Sequence, residues 1–199
     1  KSSRFGRIVN GGSAAWTGTC NIAGGAGAAI SNQAGAVFDV QSDRDVYYDG
    51  GGTPVIAFYN AGTFRKSGGS GRTTFGSACG FYNAGTVEVQ AGTLYLAGGG
   101  TGTGRFESVA SNATVTFGTG ITLGNGATLA GPGAFRFTNG TVTISGATPG
   151  VVAETNTSLY LDSGEVAGGR LTCNGAFNWT AGNLTAALTI APTGSLAIG

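Results

Sequence analysis

The sequence contains no histidine, so the side chain that most often serves as a general base is missing. A Ser-His-Asp or Cys-His catalytic arrangement is therefore excluded. Charged residues make up only 10% of the chain, and the net charge is +1. This balance argues against nucleic acid or an anionic membrane surface as a partner.

Long apolar runs and methionine are also missing. No run approaches the roughly 18 apolar residues of a membrane span, and residues 1–12 lack the apolar core of a signal peptide. The absence of methionine favours a segment excised from a larger, multidomain protein. We treat residues 1–199 as a single domain of such a protein.

Cysteine is scarce and widely spaced. Cys20, Cys79 and Cys173 form no CxxC pair, and no histidine is present to complete a zinc site. This pattern favours buried small residues over a disulfide framework.

Glycine, in contrast, is abundant. Forty glycines make up about a fifth of the chain against a usual share of roughly 7%. They follow no strict triplet, which excludes collagen. The hydrophobic content of 41% is too high for a disordered chain, so a folded protein rich in turns is expected.

A repeat organises these glycines. The hexapeptide FYNAGT begins at Phe58 and again at Phe81. The same succession of a turn and a short strand returns in AGTLYL, NATVTF, GAFRF, NGTVTI, NTSLYL and GGRLTC. Each strand alternates apolar and polar residues, the pattern of a strand with one buried face. No segment shows helical periodicity with capping residues, so little or no α-helix is expected.

Two architectures can bury strands this short, a sandwich or barrel of hairpins and a parallel β-helix of stacked coils. The spacing from Phe58 to Phe81 favours the β-helix, because it corresponds to one circuit of three short strands. The first apolar residues after successive turns follow at uneven steps, at Val37, Phe64, Val87, Val115 and Val142. Steps of about 23 to 28 residues per coil predict seven or eight coils.

Stacking would place Asn60 about 4.8 Å from Asn83. An asparagine at a corner can then donate a hydrogen bond to its equivalent in the next coil and build a ladder. The alternative is that each asparagine serves only its own turn.

Between Asn83 and Thr101 the chain reads NAGTVEVQAGTLYLAGGGT. From about Gln33 onward the chain resembles the glycine-rich right-handed parallel β-helix repeats of bacterial surface and secreted proteins. The resemblance implies an all-β, single-stranded, right-handed solenoid and an extracellular or cell-surface location. The chain also resembles β-helix carbohydrate-binding modules that recognise xylan.

Four of the nine acidic residues crowd into one stretch, DVQSDRDVYYD, from Asp39 to Asp49. The first interpretation is a solvated insertion loop that Gly50, Gly51 and Gly52 close. The second is a sugar site in which carboxylates accept hydrogen bonds from hydroxyls and a tyrosine stacks on a pyranose ring; its candidates are Asp43, Asp45, Asp49, Tyr47 and Tyr48. The third is a calcium site, although the spacing matches no EF-hand loop.

Other tyrosines alternate with apolar strand residues. If Phe58 and Asn60 point inward, Tyr59 points outward, and Tyr82 lies one coil away on the same face. By the same parity Tyr95 and Tyr160 are exposed. Exposed tyrosines in register would form a platform for a polysaccharide. The alternatives are that they are ordinary strand residues, or that the parity is inverted and they lie in the core.

Arginines also fall on or near outward strand positions. Their planar guanidinium groups can bind sugar hydroxyls or uronate carboxylates, and the alternative is a solvated spacer. The candidates are Arg65, Arg72, Arg105 and Arg136.

The leading functional hypothesis is a non-catalytic carbohydrate-binding module for a plant cell-wall polysaccharide, in the first place xylan. It needs no cofactor, although calcium stays open. A structural stalk or adhesin passenger is the second hypothesis, and a β-helix polysaccharide lyase or hydrolase is the third. The terminal GSLAIG shows no polar cap, which leaves homodimerisation through exposed solenoid ends open.

Overall fold

The computed structural model describes residues 2–50 and 56–199. Within these ranges the protein consists of twenty-six β-strands and no helix. Strands of successive coils pair in parallel, and each full coil contributes strands to three faces. The prediction of an all-β parallel solenoid is confirmed.

The chain visits the three faces in the order face 1, face 2, face 3. Face 1 contains β5 (Val46–Tyr48), β8 (Arg72–Phe75), β11 (Thr93–Leu96), β14 (Thr114–Phe117), β17 (Ala134–Phe137), β20 (Ser158–Leu161), β23 (Ala176–Trp179) and β26 (Ser195–Ile198). Face 2 contains β6 (Ile56–Asn60), β9 (Cys79–Asn83), β12 (Gly100–Gly102), β15 (Ile121–Leu123), β18 (Thr141–Ile144), β21 (Glu165–Gly168) and β24 (Asn183–Leu184). Face 3 contains β2 (Ser13–Trp16), β4 (Val37–Val40), β7 (Thr63–Lys66), β10 (Thr86–Val89), β13 (Arg105–Ser108), β16 (Thr128–Ala130), β19 (Val151–Ala153), β22 (Arg170–Cys173) and β25 (Ala187–Ile190).

The first two coils join faces 1 and 2 through long strands, β1 (Ser2–Asn10) and β3 (Asn21–Asn32). The first part of β3 pairs with β5, and its second part pairs with β6. Faces 1 and 2 therefore belong to one 17-stranded sheet, and face 3 is a separate nine-stranded sheet.

The nine strands of face 3 define nine coils, close to the seven or eight predicted. The number of coils predicted from the sequence was too low because the later steps between marker residues joined positions on different faces. Val87, Val115 and Val142 lie on faces 3, 1 and 2 respectively. The register partner of Val87 in the next coil is Phe106, which comes well before Val115 in the chain.

The core lies inside the three faces and is filled by the inward residues of every coil. Phe58 and Phe81 stack at a centroid distance of 5.3 Å and an interplanar angle of 3°. Phe64 packs edge-on against Phe81, also at 5.3 Å. Because each aromatic residue buries about 150–250 Å², these stacked columns supply much of the apolar burial that holds neighbouring coils together.

An asparagine ladder stabilises the corner between faces 2 and 3. Each side-chain Nδ2 donates to the Oδ1 of its equivalent in the next coil at 2.8 Å, in the order Asn10, Asn32, Asn60, Asn83. The same Nδ2 of Asn60 also donates to the carbonyl of Thr86 at 2.9 Å. The ladder prediction is confirmed, and the ladder ends where Gly102 takes the place of an asparagine.

The glycine of the NAGT motif lies where two backbones approach closely. A Cβ on Gly85 would lie 2.2 Å from the carbonyl oxygen of Gly62, and one on Gly104 would lie 2.1 Å from that of Gly85. The conformation itself does not require glycine at these positions, because none of these residues has a positive φ. Glycine is needed here for space between coils.

We therefore expect Gly85→Ala to lower the free energy of unfolding by about 1–3 kcal/mol, because the neighbouring backbone has to shift. Gly12→Ala is the matched control, since Gly12 lies at the same corner of the first coil and a Cβ there would have no neighbour within 4 Å. Urea denaturation of both variants measures the difference. Equal stability of the two variants would contradict the close-approach argument.

The three cysteines are free. Cys79 and Cys173 are buried, as predicted, whereas Cys20 is only half-buried. Burial raises the pKa of the Cys79 thiol to about 11, although hydrogen bonds from backbone groups act in the opposite direction. This thiol stays protonated at neutral pH and acts as a small core residue.

The two ends of the solenoid expose apolar side chains. Leu196 and Ile198 occupy inward positions of β26 but are 45% and 69% exposed. A cavity of about 430 Å³ at the opposite end is lined in part by Phe5, Trp16 and Phe38. Association of two copies through such ends stays a prediction, which light scattering can test.

Candidate functional site

Two tyrosines of successive coils stack on the outer surface of face 2. Tyr59 on β6 and Tyr82 on β9 are register partners, with ring centroids 5.0 Å apart and an interplanar angle of 19°. Their strand neighbours Phe58, Asn60 and Phe81 are buried, so the predicted parity is confirmed. Tyr59 is 47% exposed, the largest exposure of any tyrosine in the described part of the chain.

The position of the Tyr82 ring depends on a glycine in its own strand. A Cβ on Gly80 would lie 2.9 Å from Cε2 of Tyr82 and 3.1 Å from its hydroxyl oxygen. The ring therefore lies back along β9 over Gly80. The missing side chain of Gly80 lets the ring lie against the strand and stack on Tyr59.

A groove runs beside this pair, and we call it the tyrosine groove. Its lining consists of Tyr59, Asn60, Ala61, Tyr82, Asn83, Ala84, Thr101 and Thr103, and its volume is about 240 Å³. The groove presents aromatic rings together with tyrosine and threonine hydroxyls, and its lining has no charged side chain. This combination suits a neutral ligand that carries both hydroxyls and apolar C–H surfaces.

Tyr95 and Tyr160 lie on face 1, apart from the tyrosine groove. Tyr95 is the register partner of Thr74 and Thr116, so it does not continue the stack of Tyr59 and Tyr82. Tyr95 therefore does not extend the tyrosine platform of face 2, because β11 belongs to face 1. The guanidinium carbon of Arg72 lies 5.3 Å from the ring centroid of Tyr95.

A second groove lies around this arginine, and we call it the arginine groove. It is lined by Arg72, Thr93, Tyr95, Thr116, Thr138, Asn139 and Ser163 and has a volume of about 390 Å³. The lining has one cationic group and no carboxylate. It differs in charge from the tyrosine groove and lies on another face.

The acidic stretch forms the corner between faces 3 and 1. β4 ends at Val40 and β5 begins at Val46, so the stretch does not form one continuous strand with a single acidic face. Asp43 Oδ1 accepts a hydrogen bond from the Nζ of Lys66 at 2.8 Å, and its Oδ2 accepts one from the Gly71 amide at 2.9 Å. Asp45 Oδ1 accepts one from the Thr74 amide at 2.7 Å. Both carboxylates hold neighbouring coils together.

Lys66 explains the position of Asp43. Its side chain is on the inward phase of β7 and is fully buried, and Nζ also donates to the carbonyl of Gly68 at 2.8 Å. Burial alone would raise the pKa of Asp43, but the hydrogen bonds from Lys66 and the Gly71 amide lower it below its ordinary value. Asp43 is thus ionised at neutral pH.

The remaining candidates of the stretch lie on face 1. Tyr48 packs against the hydrophobic core, and Tyr47 is half-buried beside it. Asp49 follows β5, and its amide donates to the Gly24 carbonyl at 2.9 Å. Gly51 and Gly52 of the predicted loop closure lie outside the described residues. The structure does not bring this stretch onto the same face as Tyr59 and Tyr82.

Residues 2–50 and 56–199 contain no group of three or more acidic or cysteine side chains that could hold a metal ion. No helix suited to crossing a membrane occurs in these ranges.

Comparisons with known protein families, with curated proteins and with solved structures find no match to this chain.

The sequence did not point to Thr101 and Thr103 as candidates. Thr101 neighbours Tyr82 because Gly102 pairs with Asn83. In the structure one coil leads from Val87 to Phe106, and the same number of residues leads from Tyr82 to Thr101. The sequence pattern predicted a longer coil, from Val87 to Val115, because the glycine-rich stretch around β12 does not look like a strand. It therefore did not place Thr101 beside Tyr82.

Proposed function

We propose that this protein is a non-catalytic carbohydrate-binding module and that a neutral polysaccharide binds in the tyrosine groove. The observation that carries the proposal is the exposed stack of Tyr59 and Tyr82 beside a groove without charged side chains. Tyrosine rings pack well against the C–H faces of sugars, and their hydroxyls offer hydrogen bonds at the same time. The stack also orders both rings before a ligand arrives, which lowers the entropic cost of binding.

Xylan is the first polysaccharide to test, because the chain resembles β-helix modules that recognise it. Its backbone is neutral, in agreement with the uncharged lining of the groove. Successive coils are about 4.8 Å apart, so equivalent groups such as the two tyrosine hydroxyls recur along the solenoid axis. A regular repeat of donors and acceptors suits a ligand that is itself a regular polymer.

The absence of carboxylates from the groove lining supports a binding role over hydrolysis. Glycoside hydrolysis ordinarily requires two carboxylates on either side of the scissile bond. Reducing-end and unsaturated-product assays, with and without calcium, test the enzyme hypothesis directly. Product formation would overturn the non-catalytic part of the proposal.

We expect Tyr59→Ala and Tyr82→Ala each to weaken xylan binding at least about tenfold, because truncating an aromatic hot-spot residue typically costs about 2 kcal/mol or more. Retardation in polyacrylamide gels containing xylan, with glucan, mannan and pectin gels beside it, measures the effect. Tyr160→Ala is the matched control, since this tyrosine lies on face 1, and its binding should equal that of the native protein.

Thermal melting of the three variants separates binding from folding. Loss of retardation with an unchanged melting temperature supports the module. If the native protein is retarded in none of the gels, the proposal fails and the structural stalk becomes the better hypothesis. Equal losses in Tyr160→Ala and Tyr59→Ala would show that the tyrosine groove is not the site.

A further inference from the structure

Three of the four candidate arginines named from the sequence have carboxylate partners. The pairs are Arg65–Glu88, Arg105–Glu154 and Arg136–Asp162, with N···O distances of 2.8, 3.2 and 2.7 Å. Arg72 forms no ion pair with any residue in the described ranges. Arg72 also lines a groove.

Arg136 provides an internal comparison, because both arginines pack on a tyrosine of face 1. The guanidinium carbon of Arg136 lies 4.7 Å from the ring centroid of Tyr160, against 5.3 Å for Arg72 and Tyr95. The two carboxylate oxygens of Asp162 accept hydrogen bonds from Nε and Nη2 of Arg136, at 2.7 and 3.0 Å. The packing of Arg72 on an aromatic ring orients its guanidinium in the same way, but its N–H donors have no carboxylate there.

The arginine groove is long enough for an oligomeric ligand. Its lining extends from Arg72 on β8 to Ser163 just beyond β20. The strands β8, β11, β14, β17 and β20 follow one another on face 1, and four steps of about 4.8 Å give a length of about 19 Å.

Neutral hydrogen-bonding groups continue the groove beyond Arg72. Thr93 and Thr116 lie on strands of face 1 and line the groove. Asn139 has a left-handed backbone with a φ of 56°, and its amide donates to the Ser163 hydroxyl at 3.2 Å. Within the described ranges, the side-chain amide of Asn139 has no hydrogen-bond partner, so it is free to bind a ligand.

We infer that the arginine groove is a second saccharide site and that it takes an acidic sugar, with a hexuronate carboxylate bound by Arg72. A guanidinium fork matches a carboxylate in a bidentate pair, a geometry that lysine cannot provide. The sugar hydroxyls bind Thr93, Thr116 and Asn139. This inference rests on the proposed function in taking the ligand to be a saccharide, but it concerns another face and another sugar chemistry.

Calorimetric titration with tetragalacturonate tests the inference, with the carboxyl-reduced tetramer as the neutral counterpart. The native protein should bind the acidic tetramer at least about tenfold more tightly than the neutral one, and Arg72→Gln should weaken the acidic tetramer by a similar factor. Arg136→Gln is the matched control and should leave the affinity unchanged, because Asp162 already occupies that guanidinium.

Three results would overturn the inference. They are no binding of tetragalacturonate by the native protein, unchanged affinity in Arg72→Gln, and equal losses in Arg72→Gln and Arg136→Gln, which would indicate unspecific attraction to positive charge. The double variant Tyr59→Ala and Tyr82→Ala keeps the two proposals apart. This variant should no longer bind xylan but should bind tetragalacturonate as the native protein does. Loss of binding to both ligands would contradict a separate site.

Discussion

We expect Asp43→Ala to lower the free energy of unfolding by about 3 kcal/mol, because the variant leaves the fully buried ammonium group of Lys66 without its carboxylate. The value is at the lower end of the range for buried pairs for two reasons. The side chain of Asp43 is itself 36% exposed and partly screened, and the carbonyl of Gly68 still accepts a hydrogen bond from Lys66. Urea denaturation followed by circular dichroism measures the loss.

A second substitution separates the unpaired charge from the loss of the aspartate itself. Lys66→Met combined with Asp43→Ala removes both charges and keeps an unbranched side chain in the core. This double variant should regain a stability near that of the native protein, since apolar replacements of buried pairs are often neutral or stabilising. An Asp43→Ala variant as stable as the native protein would contradict the role of the pair.

The same pair predicts how stability changes with pH. The pKa of Asp43 is lower in the folded protein than in the unfolded chain, where it is about 3.9. Its contribution is therefore complete above the unfolded pKa and is lost as the pH falls through the folded pKa. The native protein should lose stability on acidification below about pH 4, and Asp43→Asn should lack this component.

The second large effect is expected for Asn60→Ala in the asparagine ladder. Asn60 is 2% exposed, and its side chain donates to Asn83 Oδ1 and to the Thr86 carbonyl. Truncation leaves both acceptors without this donor, and each buried unsatisfied group costs about 1–3 kcal/mol. We expect a loss of about 3 kcal/mol in the free energy of unfolding, measured by urea denaturation.

Asn178→Ala is the matched control, because Asn178 lies outside the ladder and makes one hydrogen bond to the Leu159 carbonyl at 3.2 Å. Asn178→Ala should lower the free energy of unfolding by about 1 kcal/mol or less. If the two variants unfold at the same urea concentration, the ladder contributes no more than an ordinary asparagine at a coil surface.

The fold was predictable because its determinants are local and repeated. The repeated Phe-Tyr-Asn fixes which residues face inward, and the following Gly-Thr fixes the corner. The hexapeptide FYNAGT was therefore enough to predict both the alternation of the strand and the asparagine ladder. The number of coils was harder to predict, since coil steps vary and no residue marks the face on which a strand lies. Lys66 was hidden for another reason: a buried cation on an inward strand position can be recognised only when its carboxylate partner is known.

The candidate sites could be predicted only in part. The alternation in FYNAGT predicted that Tyr59 and Tyr82 lie on one outer face, but it could not show that Tyr95 belongs to another face. The acidic stretch was a candidate sugar site because a sequence does not distinguish a free carboxylate from one that forms an ion pair. The ion pairs of Arg65, Arg105 and Arg136, which distinguish them from the fourth candidate Arg72, depend on contacts between residues far apart in the chain.

A neutral polysaccharide that binds beside the stacked tyrosines should perturb the backbone of the tyrosine groove. A heteronuclear NMR titration of the native protein with xylohexaose measures this perturbation at individual residues. We predict that chemical shift changes concentrate on the amides of Ala61, Ala84, Thr101 and Thr103, which line the tyrosine groove. The absence of changes at millimolar xylohexaose, or changes confined to other faces, would contradict binding in this groove.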